Sequence, residues 1–273
     1  MTRKSHPGST GKALIRRGEK PTLKTISKLS GLAVPTVSRA LNDAPDIGAV
    51  TKRKVRQIAD EIGYVPNRAG VRLRTGRTNV ISLVLSTQHD MMNHTARLIS
   101  SIAGHLRGTQ FHLIVTPFFP DEDPMRPIRY IVETGSADAI IMNQIEPHDP
   151  RIAYLMERNF PFVTHGRSDW RDQHAYFDYD NSVFAQIAVR ELVRRQRKRI
   201  LLVSPPLSQN YAMDMCDGAT TVAKQEQVDL EILSGVTSDS ASPQIMRRAE
   251  EILVGRNAPD GLICGSTSAA MAM

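Results

Sequence analysis

The sequence predicts an all-α three-helix head, a hinge, and an α/β core with parallel sheets, and three observations point there. Apolar residues recur at helical spacing in three short segments before residue 64. After residue 79, apolar runs of three to six residues alternate with longer helical patterns, the texture of a parallel sheet covered on both faces. Charge divides at the same place: residues 1–77 carry 17 Lys and Arg against 5 Asp and Glu, a surplus of +12, whereas residues 78–273 carry 18 against 23, or −5. A surplus of that size on a small segment is the footprint of polyanion binding, because each neutralised phosphate releases condensed counterions.

Residues 1–20 are polar and basic without periodicity and read as a disordered arm. The head spans residues 21–65. Thr22 caps a helix carrying Leu23, Ile26 and Leu29, and Gly31 ends it. A second helix over residues 34–42 buries Val37, Ala40 and Leu41; a third starts near Thr51, buries Val55, Ile58, Ala59 and Ile62, and stops at Gly63. Residues 30–33 are the turn between the first two. Residues 66–77 are the hinge, with Pro66 suited to a first helical turn and Gly76 to its end.

The core occupies residues 78–273. Strands are expected over residues 80–85, 111–115, 139–142, 162–164, 200–203 and 262–264, and helices over 96–106, 127–134 and 182–194. Cys216 and Cys264 form no CxxC pair and read as buried, reduced thiols. The N-terminus lacks an apolar leader and no apolar run approaches the roughly 18 residues a membrane span requires, so a cytoplasmic protein without a membrane partner is expected. The eight histidines, among them His89, His94, His105 and His112, show no spaced metal set; no cofactor motif occurs, and the nucleophile elbow, phosphate-binding loop and dinucleotide fingerprint are missing, so an enzyme is not supported. The basic run at residues 194–199 reads as a solvated helix end favoured by the macrodipole, with a second nucleic-acid patch as the other reading.

Four ordered motifs carry a resemblance: Thr22-Leu23-Lys24-Thr25-Ile26; residues 31–42, read Gly-Leu-Ala-Val-Pro-Thr-Val-Ser-Arg-Ala-Leu-Asn; Gly63-Tyr64-Val65-Pro66-Asn67; and Leu73-Arg74-Thr75-Gly76-Arg77-Thr78. The chain resembles the LacI/GalR family of transcription regulators, and residues 161–167 with Asp180-Asn181 resemble its alpha-glucoside regulators. The resemblance implies a helix-turn-helix head, a hinge helix and a two-lobed core like periplasmic sugar-binding proteins. It also implies a homodimer on a palindromic double-stranded DNA operator, acting as a repressor of carbohydrate genes under a small sugar-like effector.

On that reading the second helix enters the major groove. Val34, Pro35 and Arg39 read bases, Arg39 by two hydrogen bonds to a guanine. Thr22, Thr36, Ser38, Asn42, Lys52 and Arg53 hold the backbone, and Asn67, Arg68, Gly70 and Leu73 of the hinge enter the minor groove, with Leu73 as the wedge that opens a base step. Packing of Leu73 on the head is the alternative. A helix of about eight residues is unstable alone, so the hinge should form when two copies pair over DNA. Ala33 departs from the family's N-cap serine, and Gly70 from its alanine.

By position after strands, the effector candidates are Ser86, Thr87, His165, Arg167 and Ser266, with Asp214, Met215 and Asp217 flanking a helix start. Met215 stands where many relatives have an arginine, three residues before Gly218. Ordinary loop or cap chemistry is open for each and favoured for the two aspartates. Family members continue for several tens of residues past Met273, so a second lobe left incomplete, with impaired ligand response, is expected. The alternatives are a regulator that binds DNA without responding to ligand and a free-standing sugar-binding protein.

Overall fold

A computed structural model describes residues 20–66, 70, 72, 76–87, 92–255 and 257–273. The chain divides into two compact units, Met1–Thr78 and Asn79–Met273.

The first unit contains α1 (Leu23–Ser30), α2 (Val34–Leu41) and α3 (Ala49–Ile62). Thr22 and Thr25 form a reciprocal capping box at the start of α1, and Gly31 ends it at φ 74°. The Lys54 ammonium donates to the Ser30 carbonyl at 2.9 Å, which satisfies one of the acceptors left open at that helix end. Pro35 sits in the first turn of α2, where its missing N–H has no intrahelical partner to lose. Ala33 supplies no side-chain cap. Ile26, Val37, Ala40, Val55 and Ala59 close the core, and Leu41, Ile58 and Ile62 pack against it half-buried. The third helix begins at Ala49, two residues before the expected Thr51, because extended Gly48 holds the N-cap position. Gly63 stops it in the left-handed region at φ 66°.

In the hinge, Gly70 and Arg72 are helical and exposed, and the amide of Gly76, at φ 71°, donates to the Arg72 carbonyl at 2.8 Å. Asn67, Arg68 and Leu73, residues 1–19 of the expected basic arm, and His89 lie outside the described residues.

The second unit holds two parallel sheets. The first runs β2-β1-β3-β4-β5, from β1 (Val80–Ser86), β2 (His112–Phe118), β3 (Ala139–Met142), β4 (Phe162–His165) and β5 (Tyr176–Phe177). The second runs β7-β6-β8, from β6 (Arg199–Val203), β7 (Asp229–Ile232) and β8 (Gly261–Cys264). The helices are α4 (Met92–His105), α5 (Met125–Thr134), α6 (Pro150–Glu157), α7 (Asn181–Arg194), α8 (Asn210–Gln225), α9 (Ser242–Ile252) and α10 (Thr267–Ala272).

Strand β6 shows why its sequence is a continuous apolar run. Ile200 and Leu202 join Ala185, Val189, Ala219 and Val222 on one face, while Leu201 and Val203 join Ile245 and Ala269 on the other. Asp149 and Arg151 form a buried pair at the start of α6. The guanidinium grips both carboxylate oxygens, at 2.9 and 2.6 Å, and donates to the carbonyls of Asn143 and Gln144. This ties down the loop leaving β3. Gly218 lets α8 approach the N-terminal turn of α7, because a Cβ there would meet the backbone of Ser182.

Two strands, β5 and β7, and two helices, α6 and α9, have no counterpart among the expected elements. β5 has two residues and β7 alternates Asp-Leu-Glu-Ile at a sheet edge, so neither makes a long apolar run. Strand β2, also an edge, continues past residue 115 to Phe118 and tolerates Pro117 there.

Candidate functional site

Two regions concentrate the residues singled out in the sequence. In the head, α2 exposes Pro35 and Arg39, with Val34, Thr36 and Ser38 half-buried beside them. The inward residues Val37 and Ala40 are fully buried. The helix therefore turns its N-terminal half and Arg39 outward, the geometry a groove-reading helix requires. Asn42 closes α2, its amide donating to the Ser38 carbonyl at 2.6 Å. The hydroxyl of Thr22 belongs to the capping box.

Lys52 and Arg53 differ. The Lys52 ammonium, only 17% exposed at its side chain, sits on Asp43, 3.1 Å from the carbonyl and 3.4 Å from the carboxylate. Arg56 reaches the other carboxylate oxygen at 2.6 Å. These two cations, Arg56 foremost, hold the Asp43 carboxyl below the usual range. Arg53 is exposed.

In the second unit, a cavity of about 760 Å³ lies where the carboxyl ends of β3, β4 and β8 face the start of α7 and the first turns of α8. His165, Met215 and Ser266 line it. The remaining effector candidates are elsewhere. Ser86 lines a smaller cleft of about 270 Å³ with Gln209 and Glu122, and Thr87 lines neither cleft, its amide donating to the Phe118 carbonyl at 2.9 Å. Arg167 does not line the cavity; its guanidinium is held by two residues that do, Asp178, Nε to Oδ2 2.9 Å, and the Tyr179 carbonyl. Ser266 accepts the Ala269 amide as the N-cap of α10 and donates to the Ser238 carbonyl.

Met215, Asp214 and Asp217 are inside α8, which begins at Asn210, so they do not flank its start. Met215 is 4% exposed and packs in the core while also reaching the cavity. Burial pushes the Asp214 carboxyl up, with Arg167 opposing.

Several lining residues carried no sequence signal used above: Asn143, Tyr179, Phe184, Tyr211 and Asp239. Asn143 directly follows β3, so the strand-end rule finds it once β3 is placed. The aromatic wall is built from rings in contact. His165 stacks on Phe177 at 5.9 Å, and Tyr179 meets His165 and Phe177 edge-on at 6.0 and 5.7 Å.

Among the described residues, no group of three or more His, Cys, Asp or Glu is placed to hold a metal ion, and no helix is long and apolar enough to cross a membrane. Burial raises the thiols of Cys216 and Cys264 above their ordinary range. The run at residues 194–199 is surface: Arg194 and Arg195 pair with Glu191, and Arg199 donates to the Ala258 carbonyl.

Residues 22–67 match the family described as bacterial regulatory proteins, lacI family. Over 253 residues the chain is 30% identical to the HTH-type transcriptional regulator AglR of Rhizobium meliloti (strain 1021), covering 91% of this chain and 70% of the relative. The HTH-type transcriptional regulators RafR of Escherichia coli and CelR of Thermobifida fusca are 31% and 26% identical, each over 70% of this chain and over 57% and 58% of their own length. Among solved structures, the lac repressor dimer bound to operator and the anti-inducer ONPF aligns with a TM-score of 0.74 at 20% identity, over 93% of this chain and 76% of that one. The transcriptional regulator CelR in complex with cellobiose aligns at 0.58 and 22%, with the same coverage. At those identities the structural likeness speaks for the fold.

Proposed function

The chain belongs to the lacI family of bacterial regulatory proteins, and from that premise we propose that it is a dimeric repressor of carbohydrate-utilisation genes, acting in the cytoplasm on a palindromic operator and modulated by a sugar. The observation that carries the reading is the exposure of Arg39 and Pro35 on the outer face of α2, in a segment whose charge is +12. Arg39 and its neighbours Val34 and Pro35 read bases, the apolar pair against thymine methyls. Arg53 and the polar ends of α2 face phosphates, and the hinge residues 66–77 belong in the minor groove. The head at residues 21–65 and the core at residues 78–273 divide the work of reading DNA and sensing ligand. The cavity at the strand ends of the second unit is the effector site, with His165, Met215 and Ser266 in contact with ligand.

The fold likeness to an operator-bound dimer and to a cellobiose complex supports this division. Its test is fluorescence anisotropy of a labelled palindromic duplex in titrations across salt and across a sugar panel. Tight, strongly salt-dependent binding that a sugar shifts is expected. Binding to no duplex removes the regulator reading; tight binding that no sugar moves removes only the effector half.

A further inference from the structure

The cavity that this reading assigns to the effector has a one-sided charge balance. Its described lining contains three carboxylates, Asp178, Asp180 and Asp239, and no lysine or arginine. Asp178 and the guanidinium of Arg167, one residue beyond lining Gly166, pair at 2.9 Å and offset each other, so Asp180 and Asp239 carry the remaining negative charge. At the place where the resemblance puts an arginine stands Met215, buried to 4% exposure. The rest of the lining mixes neutral polar side chains, Asn143 and Ser266 among them, with the rings of Tyr179, Phe184 and Tyr211 and with His165, which stacks on Phe177.

A phosphate or carboxylate entering such a cleft gives up hydration, meets acid groups and finds no cation, so its desolvation is uncompensated. An uncharged sugar meets neither obstacle. Its hydroxyls donate to carboxylates and to the Asn143 and Ser266 side chains, and its apolar ring faces lie on the aromatic wall. We propose that the effector is an uncharged saccharide, and that this pocket rejects sugar phosphates and sugar acids. The inference rests on the cavity being the effector site and adds its charge selectivity.

Matched pairs that differ in charge test it: sucrose and sucrose 6-phosphate, trehalose and trehalose 6-phosphate, cellobiose and cellobiose 6-phosphate, galactose and galacturonate. Each is titrated into the full chain at pH 8, where an ordinary imidazole is neutral, with thermal midpoint and calorimetric affinity as readouts. At least one neutral member should bind roughly 100-fold or more tighter than its charged twin. Met215→Arg should raise affinity for that twin by about tenfold or more. If that variant does not fold, Asp178→Asn, which leaves the Arg167 charge uncompensated, gives the same readout. A charged member binding as tightly as its neutral twin overturns the selectivity and leaves the sugar response standing. No shift with any member of any pair overturns the selectivity and the effector assignment together.

Discussion

Arg39 and Asp46 are joined across the turn that follows α2, Nη2 to Oδ2 at 2.5 Å, with 58% and 45% of their side chains exposed. An ion pair this open contributes no more than about 1 kcal/mol. A guanine edge offering two hydrogen bonds can therefore draw Arg39 away at little cost.

Replacing Arg39 with alanine should relax preference at one base pair by about 1–3 kcal/mol and leave binding to non-specific duplex nearly unchanged. Competition titrations against single-base operator variants read this directly. A uniform loss across all variants would instead make Arg39 a phosphate contact.

Arg53 and Lys52 should separate by mechanism although they adjoin. Arg53→Ala should weaken binding to every sequence and lower the salt slope by about 1. Lys52 is turned onto Asp43, so Lys52→Ala should chiefly lower the unfolding midpoint of the head. Salt-slope and urea-unfolding measurements on both variants check the pair, and equal slope losses would contradict the assignment.

The Asp149–Arg151 pair leaves only 1% and 5% of its side chains exposed. Removing one partner strands a buried charge, so Arg151→Ala should lower stability by about 3–5 kcal/mol. Arg151→Met combined with Asp149→Asn should recover much of that loss. Urea unfolding of the two variants gives the comparison, and a single-variant loss below about 1 kcal/mol would place water at the pair.

Gly218 provides a test of sign. In an unobstructed helix, alanine for glycine stabilises by about 1 kcal/mol. Here a Cβ would lie 2.8 Å from the Cα and carbonyl carbon of Ser182, so Gly218→Ala should destabilise by about 1–3 kcal/mol through overpacking. Denaturant unfolding decides between the two signs.

Much of the head was legible because each helix announces itself locally. Thr22 and Thr25 cap within one turn, Gly31 and Gly63 stop in the left-handed region, and the spacing of Val37 and Ala40 marks the buried face of α2. The inner strands of the core were legible for a similar reason, since a strand covered on both faces, such as β6, must be apolar throughout. What local pattern does not encode is the partner of a polar group. Arg167 follows β4 and so looked like a ligand contact, but the carboxylate that holds it is eleven residues away at Asp178. Lys52 has the sequence position of a phosphate contact, and its ammonium is engaged by Asp43, nine residues earlier. The aromatic wall was hidden in the same way, because Tyr179, Phe184 and Tyr211 come from separate segments that only the fold brings together.

The central claim is that α2 reads a duplex sequence through its exposed face, and selection from a random-sequence duplex library by the purified chain at moderate ionic strength tests it most directly. The account predicts enrichment of a two-fold symmetric site, with one guanine position whose preference disappears in Arg39→Ala. A pool that remains unenriched after repeated rounds, with retention that tracks ionic strength alone, would contradict it.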